Sequence, residues 1–188
     1  IMDKAGLRDE VSSPTQLSPR RVAVVEPEKP AEPTRRVRTI LRESCLVEDC
    51  EPVRLYLASR SLWPLPAGHS LRAHPSVEYW ARDDYGNPKM VGRYAALVAA
   101  VRDMCGEIVT AHVTYIDPSG QKIQGFDPRK MLSPLTGREG CAIQMMPHSS
   151  ILGVAEGIET ALSAARMHDV PVWPTINAGL LAKWEPPH

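Results

Sequence analysis

The chain has no net charge to offer a polyanion: 22 lysines and arginines are matched by 22 aspartates and glutamates. That excludes nucleic-acid binding through overall basicity, so any such site must come from local charge. There is no Cys-x-x-Cys pair among Cys45, Cys50, Cys105 and Cys141, which argues against a zinc ribbon. Cys45 and Cys50 with His69 and His74 make a poor zinc set, because the cysteines are too far apart and Pro52 and Pro75 intrude. Phenylalanine occurs once, at Phe126, and aromatics are 5% of the chain, so the core must rely on Leu, Val, Ile, Ala and Met. No signal peptide and no apolar run of roughly eighteen residues is present. The expectation is a soluble, cytoplasmic protein with reduced thiols and no membrane partner. No internal repeat is visible.

What is present suits one domain or two small ones: 188 residues, 43% of them hydrophobic. Residues 1–34 hold Pro14, Pro19, Pro27, Pro30 and Pro33 among polar residues and read as a linker or arm, with 22–25 as one possible short strand. Residues 35–70 read as helical. Val37, Ile40 and Leu41 recur at helical spacing, and Pro52 opens an amphipathic helix over 52–60 that leaves Arg54 and Arg60 on a solvated face. Residues 71–150 read as β-rich. Strands are expected at 97–102 and 108–116, with turns at 104–107 and 117–120 and another around Asp83-Asp84-Tyr85-Gly86-Asn87-Pro88. Alternation puts Thr110, His112 and Thr114 on a polar face and Val109, Ala111, Val113 and Tyr115 on an apolar one.

Residues 151–188 read as a β-α-β unit. An apolar run over 151–155 ends on Glu156; Gly157 follows, then a helix from about Glu159 to residue 168, stopped by Asp169-Val170-Pro171, and a strand over 172–176. Glu156 therefore sits where a strand stops and a helix starts, the place where open α/β sheets bind ligands. A carboxylate there suits a divalent metal or acid–base work, and equally a helix N-terminus. Glu159, one turn on, reads as a helix cap with a supporting role open. Gly157 keeps side-chain bulk away from a metal or phosphate. A second candidate is the stretch from Lys89 to Arg138, with seven basic residues against four acidic. It reads either as a polyanion surface or as an ordinary solvated one.

Two sets of residues carry a resemblance. Glu156-Gly157-Ile158-Glu159-Thr160-Ala161-Leu162 is similar to the first motif of the Toprim domain, the metal-binding catalytic fold of bacterial-type primases and topoisomerases. Ahead of it stand Gly92-Arg93-Tyr94, Val101-Arg102-Asp103, Ala111-His112-Val113-Thr114-Tyr115 and Asp127-Pro128-Arg129-Lys130-Met131-Leu132-Ser133-Pro134. Their order resembles the basic subdomain of primases of conjugative plasmids and phages, from about Pro52 to Pro187. The resemblance implies an α/β chain: a helical lead-in, a β-rich basic subdomain over 71–150, and the first half of a Toprim domain over 151–188. It implies that Arg93, Arg102, His112, Arg129 and Lys130 line a groove for template or nucleotide. It also implies that Glu156 belongs to a Mg2+ (or Mn2+) site, and that the complete enzyme makes RNA primers on single-stranded DNA from ribonucleotides, with a replicative helicase as a further partner.

Two departures stand against that pattern. Val113 follows His112 where many relatives have arginine, and the chain lacks the later Asp-x-Asp pair that completes a Toprim metal cage. The chain begins at Ile1, and residues 184–188 read as a loop cut short, so a fragment with weak or no catalysis of its own is expected. The competing readings are a non-enzymatic single-strand-binding protein derived from a primase, a Toprim nuclease, and a chain whose missing carboxylates come from a partner.

Overall fold

The computed structural model describes residues 33–133, 135, 140–148 and 150–187. The expected arm, apart from its last two residues, lies outside this set, as do Pro134 and Arg138. The architecture is mixed α/β: a four-stranded antiparallel sheet, β1 (Arg72–Arg82), β2 (Pro88–Arg102), β3 (Ile108–Ile116) and β4 (Arg129–Met131), in the spatial order of the chain. Among the described residues, two α-helices, α1 (Arg35–Glu43) and α2 (Glu51–Ala58), precede it, with a 3-10 turn (Val47–Asp49) between them. Then come β5 (Gly153–Ala155), α3 (Ile158–His168), β6 (Val172–Pro174) and a short α4 (Ala178–Leu181), with β5 and β6 paired in parallel.

One local device makes the three hairpin turns of the large sheet. Asp83, Asp103 and Asp117 each use Oδ1 to accept the backbone N–H groups two and four residues on, at 2.8–3.0 Å. Each is followed three residues later by a glycine at positive φ, Gly86, Gly106 or Gly120, which a side chain would strain. β3 spans the expected residues. β2 starts well before residue 97, because the Asp83 turn folds Lys89, Met90, Gly92 and Arg93 back against β1.

The helices follow their apolar spacing. Thr34 caps α1 by accepting the Val37 N–H at 3.3 Å, and Val37 and Ile40 are buried. Pro52 lies in the first turn of α2, where its missing N–H costs nothing, and Val53, Tyr56 and Leu57 turn inward. α3 buries Ile158, Ala161, Leu162 and Ala165 and ends at Asp169, which takes the left-handed conformation.

The sheet is covered on both sides, which corrects the expected polar face. Ala111, Val113 and Tyr115 pack with Val37 and Ile40 of α1. The opposite face carries Leu97, Ala99, Val101 and Ile116 into a second cluster shared with α2 and α3. Thr110 and Thr114 belong to this second face, at 0% and 3% exposure, so they are core rather than solvated positions. The Thr110 hydroxyl is satisfied by the Ser133 N–H and hydroxyl at 3.0 and 2.8 Å. Helical lead-in, sheet and β-α-β unit thus share one apolar core. Backbone bonds close the join: Arg102 and Ala142 exchange N–H···O bonds at 2.9 and 3.0 Å, and the Ile143 N–H reaches the Pro174 carbonyl at 2.9 Å.

Gly120 is the tightest point between lead-in and sheet. A Cβ there would sit 2.6 Å from the Leu55 Cβ, at φ +78°. Gly120→Ala is therefore expected to destabilise the chain by about 2–4 kcal/mol. Urea unfolding measures this, and a loss below about 1 kcal/mol would show that α2 does not press on this turn.

Candidate functional site

The hydrogen bonds of β5 and β6 decide where Glu156 stands. Thr175 donates its N–H to the Ala155 carbonyl at 2.8 Å, fixing the carboxyl end of β5. Glu156 follows directly and is exposed; Gly157 is the N-cap of α3 and offers no side chain to it. A Cβ on Gly157 would meet no protein atom within 4 Å, so packing does not demand glycine there. What the glycine leaves is an open approach to the first turn of α3, whose N–H groups lack a side-chain cap and carry the positive end of the helix dipole.

Across from that turn stand His112 of β3 and Arg129 of β4. They line one crevice with Gly157, Ile158, Glu159 and Ile176, and it leaves about 20 Å3, room for one water-sized guest. Strand register explains the pairing, because Thr114 lies opposite Arg129 and His112 opposite Met131, which sends His112 and Arg129 to the same face. The His112 Nδ1 is buried with no hydrogen-bond partner. Burial, with the positive charges of Arg129 and Lys122, brings its pKa down to about 4, so it is neutral at pH 7.

Glu159 is an anchor rather than a helix cap alone. Its Oε1 accepts from the Tyr56 hydroxyl and from Lys122 Nζ, each at 2.5 Å, with Arg60 Nε at 4.0 Å. Burial opposes its ionisation, but the Lys122 and Tyr56 hydrogen bonds and the Lys122 charge outweigh it and hold the pKa down at about 2. Burial and the same carboxylate push the Tyr56 hydroxyl up. Arg60 lies 4.1 Å from the Tyr56 ring centre, so it is a packed group and not the solvated one expected. Partners 103 and 37 residues away in the chain hide this cluster from any local pattern; the one sequence signal was a glutamate at the start of an apolar helix.

The other basic candidates lie elsewhere, so the expected single groove is divided. Lys130 neighbours Arg129 on a strand and therefore faces the other way, with its ammonium on the Trp80 carbonyl and 3.8 Å from the Tyr79 ring centre. Arg102 closes the β2–β3 hairpin by donating to the Gly106 carbonyl at 2.6 Å. Arg93 is paired with Glu78 near the β1 edge.

Glu156 has an exposed carboxylate, Glu159 is engaged by Lys122 and Tyr56, and no group of three His, Cys, Asp or Glu is gathered among the described residues.

Two titrations give separate stability windows. His112 has a lowered folded pKa, so the unfolded chain binds its proton first, and stability present above about pH 6.5 is lost as pH falls toward 4. Glu159 is depressed as well, so its contribution is complete above about pH 4.5 and is lost as pH falls through 2. His112→Asn is expected to remove on the order of 1–3 kcal/mol of the pH dependence between 6.5 and 4 and leave the lower window. Urea midpoints against pH measure this; an unaltered slope in the upper window would show that His112 is not held neutral.

The family described as Domain of unknown function (DUF7146) matches residues 31–142, and the chain belongs to that family. No curated protein and no solved structure matches the chain. The matched segment holds α1, α2, the antiparallel sheet, His112 and Arg129, and it stops before β5 and Glu156.

Proposed function

We propose that this member of the DUF7146 family is the strand- and nucleotide-facing part of a Toprim-type DNA primase of the conjugative-plasmid or phage kind. The observation that carries the reading is the crevice itself: the uncapped start of α3, with Glu156 beside it, faces Arg129 and His112 of the basic sheet. His112 and Arg129, from two of the four basic motifs, line this crevice with Gly157, Ile158 and Glu159 of the Toprim-like motif.

Arg129 is exposed and can make charge-assisted bonds to a phosphate of single-stranded DNA or of a ribonucleotide. The N–H groups of the first turn of α3 add donors and dipole without a mobile side chain. Neutral His112 contributes a hydrogen bond but no charge, so the attraction rests on Arg129 and the helix end. Glu159 keeps α3 at its distance through Lys122 and Tyr56. Glu156 is exposed and the sequence holds no Asp-x-Asp pair, so in this reading the part the chain plays is to bind and position.

A second reading, a single-strand-binding protein without chemistry, draws on that same missing carboxylate set. The two part over Glu156. In the primase reading Glu156→Gln abolishes primer synthesis by the complete protein while leaving strand binding intact or slightly tighter, since one negative charge is gone. Retained synthesis would remove Glu156 from the site.

Arg129→Ala is expected to weaken binding of a labelled single-stranded oligonucleotide about three- to tenfold across sequences, and to lower the salt slope by about 0.7. Fluorescence anisotropy over a salt series reads both; unchanged affinity and slope would mean that the strand passes elsewhere.

A further inference from the structure

The β1 edge of the sheet holds a second cavity, of about 580 Å3, between α1 and β1. It shares no lining residue with the crevice at the β4 side. A bulge in β1 shapes it: His74 pairs with Ala96 and Val77 with Tyr94, so Pro75 and Ser76 together oppose Ala95. An edge strand tolerates the missing proline N–H, and the extra residue bends β1 locally. The facing wall is α1, where Arg35, Thr39 and Glu43 share one side because they are four residues apart. Buried Ile40 and Val77 give the groove an apolar floor.

The two ends of the groove differ in charge. Arg35 and Arg36 stand in the first turn of α1, which has no acidic residue, so two cations occupy the positive end of a helix dipole. Arg36 donates to the Glu78 carbonyl at 3.1 Å and Arg93 is paired with the Glu78 carboxylate, whereas Arg35 forms no ion pair among the described residues. At the other end the Glu43 carboxylate lies 3.9 Å from Nε2 of His74, whose pKa is lowered by burial, so the ring is neutral at pH 7 and adds no countercharge. Arg42 reaches Glu43 at 3.3 Å, but both side chains are exposed and water screens the pair. Eight residues of helix separate Arg35 from Glu43, a span of about 12 Å.

An occupant that matches is an extended segment with an anion at one end, a cation at the other and small apolar residues between. The chain has one directly before α1: Lys29-Pro30-Ala31-Glu32, which lies outside the described residues. We propose that this segment folds back along α1 and fills the groove, with Glu32 on Arg35, Pro30 and Ala31 over Ile40 and Val77, and Lys29 on Glu43. Pro30 and Pro33 favour extended backbone, and at the polyproline rise Lys29 and Glu32 stand about 9 Å apart, a gap that their side chains extend to the length of the groove. Residue 34 opens α1 beside Arg35, so Glu32 starts two residues from the cationic end and closing the loop costs little entropy. Glu32 then supplies the acidic group that the first turn of α1 lacks. The arm leaves the domain beside Glu43 and not at Thr34. This contact does not depend on the crevice reading.

The test is cleavage of the Glu28–Lys29 bond in the full chain by a glutamate-specific protease, followed by mass spectrometry. Glu26 and Glu32 each precede a proline, which protects their bonds, so Glu28–Lys29 is the susceptible bond between residues 26 and 33. Its cleavage is expected to be about tenfold slower or more than in a free peptide of residues 24–36. Arg35→Glu, Glu43→Lys and Glu32→Arg are each expected to speed it about threefold or more, and Arg35→Glu combined with Glu32→Arg is expected to be slower than either alone. Melting temperatures confirm that the variants fold. A wild-type rate equal to that of the peptide would overturn the proposal, as would slow cleavage that Arg35→Glu and Glu43→Lys leave unchanged. A double variant cut faster than both singles would do the same. Protection that grows with protein concentration would give the groove to the arm of a second copy, and the proposal fails.

Discussion

One half-buried carboxylate sets the geometry on which the rest depends. Glu159 receives Lys122 from the connection after β3, Tyr56 from α2 and, at longer range, Arg60, so it ties lead-in, sheet and β-α-β unit at one point. The apolar core brings these elements together without direction, whereas hydrogen bonds to an ionised group fix distance and angle. Because Glu159 lies in the first turn of α3, the same anchor determines how far the helix start stands from His112 and Arg129. A longer separation would open the crevice to bulk water, and a shorter one would close it.

The division of charge follows from this. Lys122 and Arg60 are basic but already engaged by Glu159, and Lys130 and Arg102 are engaged by carbonyl groups. A formal excess of positive charge along the sequence is therefore a poor guide to what a ligand meets. Arg129 at the crevice and Arg35 at the β1 edge carry most of what remains available around the two openings. The chain is neutral overall, and each opening mixes both signs: Arg129 with Glu159 at the crevice, and Arg35, Arg36 and Arg93 with Glu43 and Glu78 at the β1 edge.

Local pattern carried the reading of the fold a long way. β3, the helix after Pro52, the turns at Asp103 and Asp117 and the order of β5, α3 and β6 all rest on periodicity or turn chemistry that acts within a few residues. The Thr110 and Thr114 face was misread because alternation tells which residues share a side, and only the tertiary fold tells what covers it; α2 and α3 do. Arg129 and Lys130 face opposite ways because residues 129–131 form a strand, which two adjacent basic residues do not reveal by themselves. The Glu159 cluster and the cavity at the Pro75 bulge were not legible, since both join groups distant in sequence.

The central claim is that a phosphate is met at the mouth of the crevice, by the start of α3 and the Arg129 side chain. Amide and imidazole resonances report it directly when the full chain is titrated with a 5′-phosphorylated single-stranded oligonucleotide. The account predicts that the largest shifts fall on the amides of Gly157, Ile158 and Glu159 and on the His112 ring. Shifts confined to α1 and β1, with the α3 amides unmoved at saturation, would contradict it.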